Sequence, residues 1–531
     1  MRNGGRAALP ARRARAEAPR VARTPAPGTR PTAPAAMTTP LDRRLFLRDS
    51  FKLGGALLAA PSLAGLAACN DMTAPGASPE GGASLARAAR GGNGSYGPIA
   101  ADPGGLPFLV PAGFTLREIS RAGRVMPGGR AVPNALDGMG CFADGPNRVR
   151  LVRNHEIRDG ARASATIGTA GYDTMAGGGC TTLVVDIDPT TTEPTVSNEF
   201  VSISGTHVNC AGGITPWGSW LTCEETTAGP NAGFGRKHGY IFEVPAGSNA
   251  EVAAVPIPAM GRFSHEAIAV DPTYGHVYET EDAGASDSGF YRYIPNVPGN
   301  LAAGGRLQML AVEGIPQFNT ANRALTDTGV TPNVAVPSRR VAPFTPLPAV
   351  WVDIDTPDPD LETGTSAQRQ LRRTFRQGLA KGGARFARLE GCWWGDNSVY
   401  LNSTSGGAVS AGQVWQYRPL SADRGQLMLV FESPSTAVLD APDNICVSPR
   451  GGIVICEDGG GTQFLRGLTR NGQVFDLVRA ASAVDATEFA GACFSPDGRI
   501  LFFNTQGSTD SQGTERGGTF ALWGPWANGA L

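Results

Sequence analysis

One pattern of residues recurs six times along this chain, and it constrains the fold more than any other feature. Each copy holds a polar residue, a run of small or apolar residues, a tight turn, and a second apolar run that ends in acids or amides. The copies span Asp137 to Glu156, Cys210 to Glu225, His265 to Asp282, Glu390 to Thr404, Asp443 to Asp458 and Glu488 to Gln506. Turns such as Asp271-Pro272, Pro449 to Gly452 and Pro496-Asp497-Gly498 supply the dihedrals a hairpin needs. The flanking runs are rich in Val, Ile, Phe and Trp, as buried strands are. Further strand-like segments, Thr182 to Asp188 and Gln413 to Tyr417 among them, lie between the copies.

Four strands per copy, set radially, dispose of exposed sheet edges. The sequence therefore predicts an all-β chain, a six-bladed β-propeller with irregular insertions, over residues 96–531. The widest gap between copies, 295–385, is Pro-rich at first. It then holds Ser366 to Lys381, which reads as a short helix with a basic face of Arg369, Arg372, Arg373 and Arg376. High glycine (71) and proline (41) agree with a turn-rich chain. A net charge of −1 provides no strong field favouring nucleic acid, and no nucleic-acid binding is expected.

The N-terminal part reads as something other than fold. Residues 1–36, rich in Arg, Ala and Pro, cannot pack a core and read as a disordered arm or a mis-assigned start ahead of Met37. Within 37–69, Arg43-Arg44-Leu45-Phe46-Leu47 reads as a twin-arginine export signal. The apolar stretch from Leu53 to Ala68 is too short to span a bilayer. Leu66-Ala67-Ala68-Cys69 resembles a lipoprotein processing site with Cys69 lipidated; ordinary cleavage nearby is the alternative. Residues 70–95 are a flexible linker. The expectation is a monomer, exported to the periplasm or cell surface and lipid-anchored if Cys69 is modified. No CxxC pair suggests a zinc ribbon. Cys141, Cys180, Cys223, Cys446, Cys456 and Cys493 read as small buried hydrophobes.

A tight hairpin returns both polar ends of a copy to the same end of a blade. The mouth should then gather Asp137, Asn154, His155, Glu156, Cys210, Glu224, Glu225, His265, Glu266, Glu281, Asp282, Arg388, Glu390, Asp443, Asn444, Glu457, Asp458 and Glu488. Two carboxylates about 4 Å apart repel by about 4 kcal/mol at an effective dielectric of about 20. Such a ring needs protons or cations. Carboxylate and amide oxygens suit calcium, and a Cys210 thiolate favours a transition metal beside it. The expected metal ligands are Cys210, Asn154, Glu156, Glu224, Glu225, Glu266, Glu281, Asp282, Glu390, Asp443, Asn444, Glu457, Asp458 and Glu488. Each has a plainer reading: a solvated loop acid, a structural thiol at Cys210, satisfied histidines at His155 and His265. Arg388 is either a surface guanidinium or a fork for phosphate.

Several stretches resemble the PhoX-type alkaline phosphatases. They are Asn209 to Glu225, Trp351 to Ile354, Arg388 to Gly391, Pro442 to Asn444, Ile455 to Asp458 and Ala521 to Trp526. The resemblance implies a six-bladed propeller, a cluster of iron and calcium ions, and hydrolysis of small phosphate monoesters. By it, Cys210 is an iron ligand, the acids of the matching motifs bind iron or calcium, and Arg388 with Glu390 forms the catalytic pair. The chain departs from the family at Arg388-Leu389-Glu390-Gly391, where Arg-Pro-Glu-Gly is usual. It also ends its fourth and sixth copies in amides rather than acids, at Asn402 and Asn504. No phosphate loop and no nucleophile elbow is present. Two alternatives remain: a lactonase-like propeller with one divalent ion at Glu266, Asp443 and Asn444, and a non-catalytic, calcium-stabilised binding propeller.

Overall fold

The computed structural model describes residues 94–531 apart from 161–164, 167, 285, 328–333, 361–372, 483–487 and 511–512. The chain divides into units 1–77 and 78–531, and every described residue belongs to the second. The export signal, Cys69, nearly all of the linker and the 366–372 part of the expected helix lie outside the described residues.

All six copies form antiparallel hairpins, each opening a meander. The first, Leu136–Ala143 with Arg148–His155, continues through Gly178–Ile187 and Pro194–Thr206 into a four-stranded sheet. The second is a three-stranded sheet of Asn209–Ile214, Ser219–Glu224 and Ile241–Pro245. The third and fourth, which open at His265 and Leu389, are merged. Pro346–Asp353 pairs with Gly305–Val312 on one side and Gly425–Glu432 on the other, making a nine-stranded sheet. The fifth, opening at Pro442, ends in two strands from early in the domain, Phe108–Pro111 and Ile99–Ala101. The sixth, opening at Phe489, is completed by Arg516–Trp523 and then by Thr115–Arg121. The two ends of the domain are thus laced into one sheet. The first strands of the hairpins adjoin one another in chain order, and the sixth adjoins the first. This ring of inner strands about one axis is a β-propeller.

Glycine permits the ring to close tightly. A Cβ on Gly138 would stand 2.5 Å from Ala211 Cα on the neighbouring inner strand, and one on Gly391 would stand 2.6 Å from Asp443 O. Aromatic and aliphatic side chains fill the spaces between meanders. One such core packs Phe108, Phe489, Phe503 and Phe520 around Tyr96, Phe114 and Trp526. All eight described cysteines are buried free thiols. The insertion contributes a helix at Arg373–Ala380. Its Arg376 pairs with Asp327, and Phe375 and Leu379 are buried.

A local irregularity repeats at one place in every hairpin. The register slips by one residue between Leu136 and Met139, Asn209 and Gly212, His265 and Ile268, Leu389 and Cys392, Pro442 and Ile445, and Ala490 and Cys493. A bulge of this kind bends the strand and re-aims a side chain. A backbone hydrogen bond closes each hairpin just beyond it. Glu156, Glu225, Asp282, Thr404, Asp458 and Gln506 donate their N–H to the carbonyls of Ala135, Val208, Ser264, Arg388, Ala441 and Glu488, at 2.8–3.1 Å. Four of those acceptor residues, Ala135, Val208, Arg388 and Ala441, have φ of +48° to +54°.

The bulge carbonyls, left outside the ladder, are met by side chains from the preceding hairpin. Asn154 Nδ2 donates to Cys210 O at 3.0 Å and Ala211 O at 2.7 Å. Thr280 serves Glu390 O, Asn402 serves Asp443 O, and Asn504 serves Asp137 O, at 2.6–2.7 Å. Asn154, expected among the metal ligands, is placed in this stapling network. Its amide nitrogen holds two bulge carbonyls, and its oxygen accepts from Trp220 Nε1 and Thr222 Oγ1, both at 2.9 Å.

Replacing Asn154 with Leu keeps the volume and removes every one of these bonds. A buried group left without its partner costs about 1–3 kcal/mol, so Asn154→Leu should lose roughly 3 kcal/mol or more. A denaturant midpoint unchanged from the parent would contradict the stapling role.

Candidate metal centre

Side chains alternate along a strand, so two adjacent acids at its end face opposite ways. In four hairpins the first polar residue of the exit pair turns back into the sheets. Glu224 accepts the N–H groups of His207, Gly239 and Tyr240, and His238 Nδ1, at 2.7–3.1 Å. Glu281 accepts from Gly289 N at 3.0 Å and the Tyr291 hydroxyl at 2.6 Å. Glu457 accepts from Arg466 Nε at 2.8 Å and Asp440 N at 3.0 Å. Burial pushes its carboxyl up to about 7 against the opposing pull of Arg466. His155 donates Nδ1–H to Asn134 O at 2.9 Å. Glu224, Glu281 and Glu457, expected among the metal ligands, are thus hydrogen-bonded within the sheets and lie outside the triads that the described acids form.

The second residue of the pair faces the axis in Glu156, Glu225 and Asp458. There it meets the side chains re-aimed by the bulges: Asp137, Cys210, Glu266, Glu390 and Asp443. With Glu488, they form four overlapping triads: Asp137–Glu156–Cys210, Cys210–Glu225–Glu266, Glu266–Glu390–Asp443 and Asp443–Asp458–Glu488. Within each triad, one ligand atom per residue lies within 4.8 Å of the others. Cys210, Glu266 and Asp443 are each shared between two triads, so the nine groups form one continuous array.

Other expected residues stand beside the array. His265 points away from its neighbour Glu266. Its Nε2 donates to Gly261 O at 3.1 Å, its ring packs on Phe263, and burial holds its pKa down at about 3. Asn444 donates to Asp443 Oδ1 at 2.8 Å and accepts from Gly491 N at 2.6 Å, so it orients Asp443. Asp282 lies outside the triads, its Oδ2 accepting from Arg388 Nε at 3.1 Å. Arg388 also donates to Glu390 and so joins the third hairpin to the fourth.

Two residues absent from the expected set belong here. Arg158 donates to Glu225 Oε2 at 2.8 Å and also to Glu156. Gln506 Nε2 donates to Asp137 Oδ2 at 2.9 Å and Glu156 Oε2 at 2.7 Å. Gln506 could have been found as the last polar residue of the sixth copy. Nothing in the sequence marks Arg158 beyond its place two residues after Glu156.

The donor set fits a cation cluster. Asp137, Glu156, Cys210, Glu266, Glu390 and Asp443 are fully buried. Cys210 Sγ lies 2.9 Å from Glu266 Oε1 and 3.8 Å from Asp137 Oδ2. Burial, then the charges of Asp137, Glu266, Glu156 and Glu225, push its thiol well above the usual range. A thiolate in that position requires positive charge among the acids. Hard oxygens with one sulfur suit hard cations beside one softer ion. Small bulge residues, Gly138, Ala211, Ala267 and Gly391, line a cavity on the axis together with Met139, Trp220 and Trp393.

A sequence model of the family described as Alkaline phosphatase PhoX matches residues 94–508. No curated protein matches the sequence. Among solved structures, the chain is similar to Pseudomonas fluorescens PhoX in complex with vanadate, a transition state analogue. That likeness has a TM-score of 0.58 at 16% identity and covers 82% of this chain and 98% of the other. A gluconolactonase from Xanthomonas campestris aligns with a TM-score of 0.34 at 10% identity, covering 81% of this chain and 98% of its own. Regucalcin, a calcium-binding protein from Agrobacterium tumefaciens, gives 0.35 at 8%, covering 76% and 93%. Likenesses at that level carry no functional argument.

Glu224 and Glu225 are neighbours that should respond in opposite ways. Glu225→Gln should lower bound metal per folded molecule and leave stability in chelator nearly unchanged. Glu224→Gln should keep the metal and lose roughly 2 kcal/mol, because its partners include three backbone N–H groups and His238. Elemental analysis beside chelated unfolding curves measures both. Equal responses would contradict the alternation.

Proposed function

The chain belongs to the PhoX alkaline phosphatase family, and on that premise we propose that its axial array hydrolyses phosphate monoesters using iron and calcium ions. The observation that carries this reading is the continuous array of eight carboxylates and one thiol. Cys210 would hold iron, with Asp137 and Glu266 the oxygens nearest its sulfur. The all-carboxylate triads suit calcium. When bound, such ions neutralise charge on the phosphoryl oxygens and acidify water at working pH.

The chain's own residues position and neutralise. Uncatalysed phosphomonoester hydrolysis is extremely slow, and stabilisation of the transferring group is mainly electrostatic. Arg388 would grip the phosphoryl oxygens with its planar fork. Its backbone is fixed by the hydrogen bond from Thr404 N, and its side chain is oriented by Asp282 and Glu390. Glu390 serves twice, orienting Arg388 and completing the third triad. Asn444 and Gln506 hold Asp443 and Asp137 in place.

The single-ion lactonase reading needs Asn444 as a ligand, yet both ends of that amide are engaged. A calcium-only scaffold leaves Cys210 without a role. We further propose that the protein is exported folded by the twin-arginine route to the periplasm or cell surface and acts there as a monomer. Eight buried thiols support folding before contact with an oxidising compartment.

The purified protein should hydrolyse p-nitrophenyl phosphate best at alkaline pH, and removing calcium and iron should abolish the activity. Cys210→Ser should lower iron content, visible colour and activity together, with calcium less affected. Full iron occupancy per folded molecule, with only a lowered melting temperature, would sink the ligand assignment.

A further inference from the structure

The insertion between the third and fourth hairpins brings a second arginine to the edge of the mouth where Arg388 stands. Arg323 precedes the short strand Leu325–Asp327. Its Nη2 donates to Ser405 O at 2.8 Å, and Ser405 N in turn donates to Ala387 O, the carbonyl just ahead of Arg388. The turn that carries it is fixed on three sides. Asn319 Nδ2 donates to Arg323 O at 2.9 Å, Thr320 Oγ1 donates to Arg385 O at 2.9 Å, and Ala321 and Leu325 are buried against Ala387.

Arg323 differs from Arg158, Arg385 and Arg388 in having no acid beside it. Arg158 is held by Glu156 and Glu225, Arg388 by Asp282 and Glu390, and Arg385 by Asp287 and Asp327. Among the described residues no carboxylate pairs with Arg323, whose side-chain hydrogen bonds go to the backbone carbonyls of Ser405 and, at 3.4 Å, Ala324. Burial alone lowers its guanidinium pKa. It remains partly exposed. The rim beside it is Thr404, where four other hairpins present Glu156, Glu225, Asp282 and Asp458. An anion approaching the cluster meets the least repulsion at a rim position without a carboxylate.

We propose that Arg323 is a specificity-determining residue that favours phosphate esters whose leaving group carries a second anionic group. The reading rests on the phosphatase assignment above. With the phosphoryl group at Arg388, the partly exposed Arg323 offers a positive charge with no carboxylate beside it to the remainder of the substrate on the same edge. A phosphate or carboxylate supplies the matching acceptors.

The test compares kcat/KM on p-nitrophenyl phosphate, fructose 1,6-bisphosphate and 3-phosphoglycerate for the metal-loaded parent, Arg323→Gln and Arg323→Lys. The ratio of kcat/KM for an anionic leaving group to that for p-nitrophenyl phosphate should fall roughly ten- to a hundredfold in Arg323→Gln, the size of one lost charged hydrogen bond. Arg323→Lys should restore part of it. The bisphosphate and the carboxylate substrate show which anion is read. Loss of the bond to Ser405 as a mere structural support would lower all three substrates together and leave the ratios unchanged, which would overturn the proposal. A parent inactive on all three would overturn the phosphatase reading, and this inference with it.

Discussion

A backbone hydrogen bond from the rim residue to the carbonyl just ahead of the inner strand recurs in all six hairpins, and the geometry of the site depends on it. In four of them the acceptor residue takes a left-handed conformation without being glycine, which costs about 1–3 kcal/mol each. One hydrogen bond contributes about 1 kcal/mol net. The turn therefore persists only because the surrounding ring holds it. Asn154, Thr280, Asn402 and Asn504 supply that hold by tying one hairpin to the bulge of the next. Lacing of the chain's two ends into one sheet closes the ring.

The same device concentrates negative charge. Each bulge delivers one side chain toward the axis, and each closing bond fixes a rim residue beside it. Two arginines, Arg158 and Arg388, reach the array and offset part of its charge. Close packing of buried carboxylates is tolerable only with further positive charge. Metal binding would thus join the hairpins as well as act on substrate. The shared ligands Cys210, Glu266 and Asp443 make each triad dependent on its neighbour.

Much of this was legible in the sequence. Six polar-ended hairpins with explicit turns announced the propeller, and their ends named Cys210, Glu156, Glu225, Glu266, Glu390, Asp443, Asp458 and Glu488. The adjacent acids were less readable. In Glu224-Glu225 and Glu457-Asp458, period-two alternation assigns one member to the axis and the other to the sheet, but which is which depends on pairing with a facing strand that carries a one-residue bulge. Asn154 looks like a ligand by composition, and no local pattern records that its amide nitrogen meets the Cys210 and Ala211 carbonyls of the second hairpin. The merging of two meanders through Pro346–Asp353 depends on long-range pairing that no local pattern records. Arg158 and Arg323 matter through their partners, or through the lack of an acidic one, and that is visible only in three dimensions.

Anomalous-scattering crystallography above and below the iron edge tests the central claim most directly, since that claim is about where cations sit. The account predicts an iron peak about 2.3 Å from Cys210 Sγ, a typical metal–thiolate length. It also predicts calcium density 2.3–2.6 Å from carboxylate oxygens of the triads around Asp443. Metal peaks confined to other parts of the protein, with Cys210 and its neighbouring acids hydrogen-bonded only to one another, would contradict it.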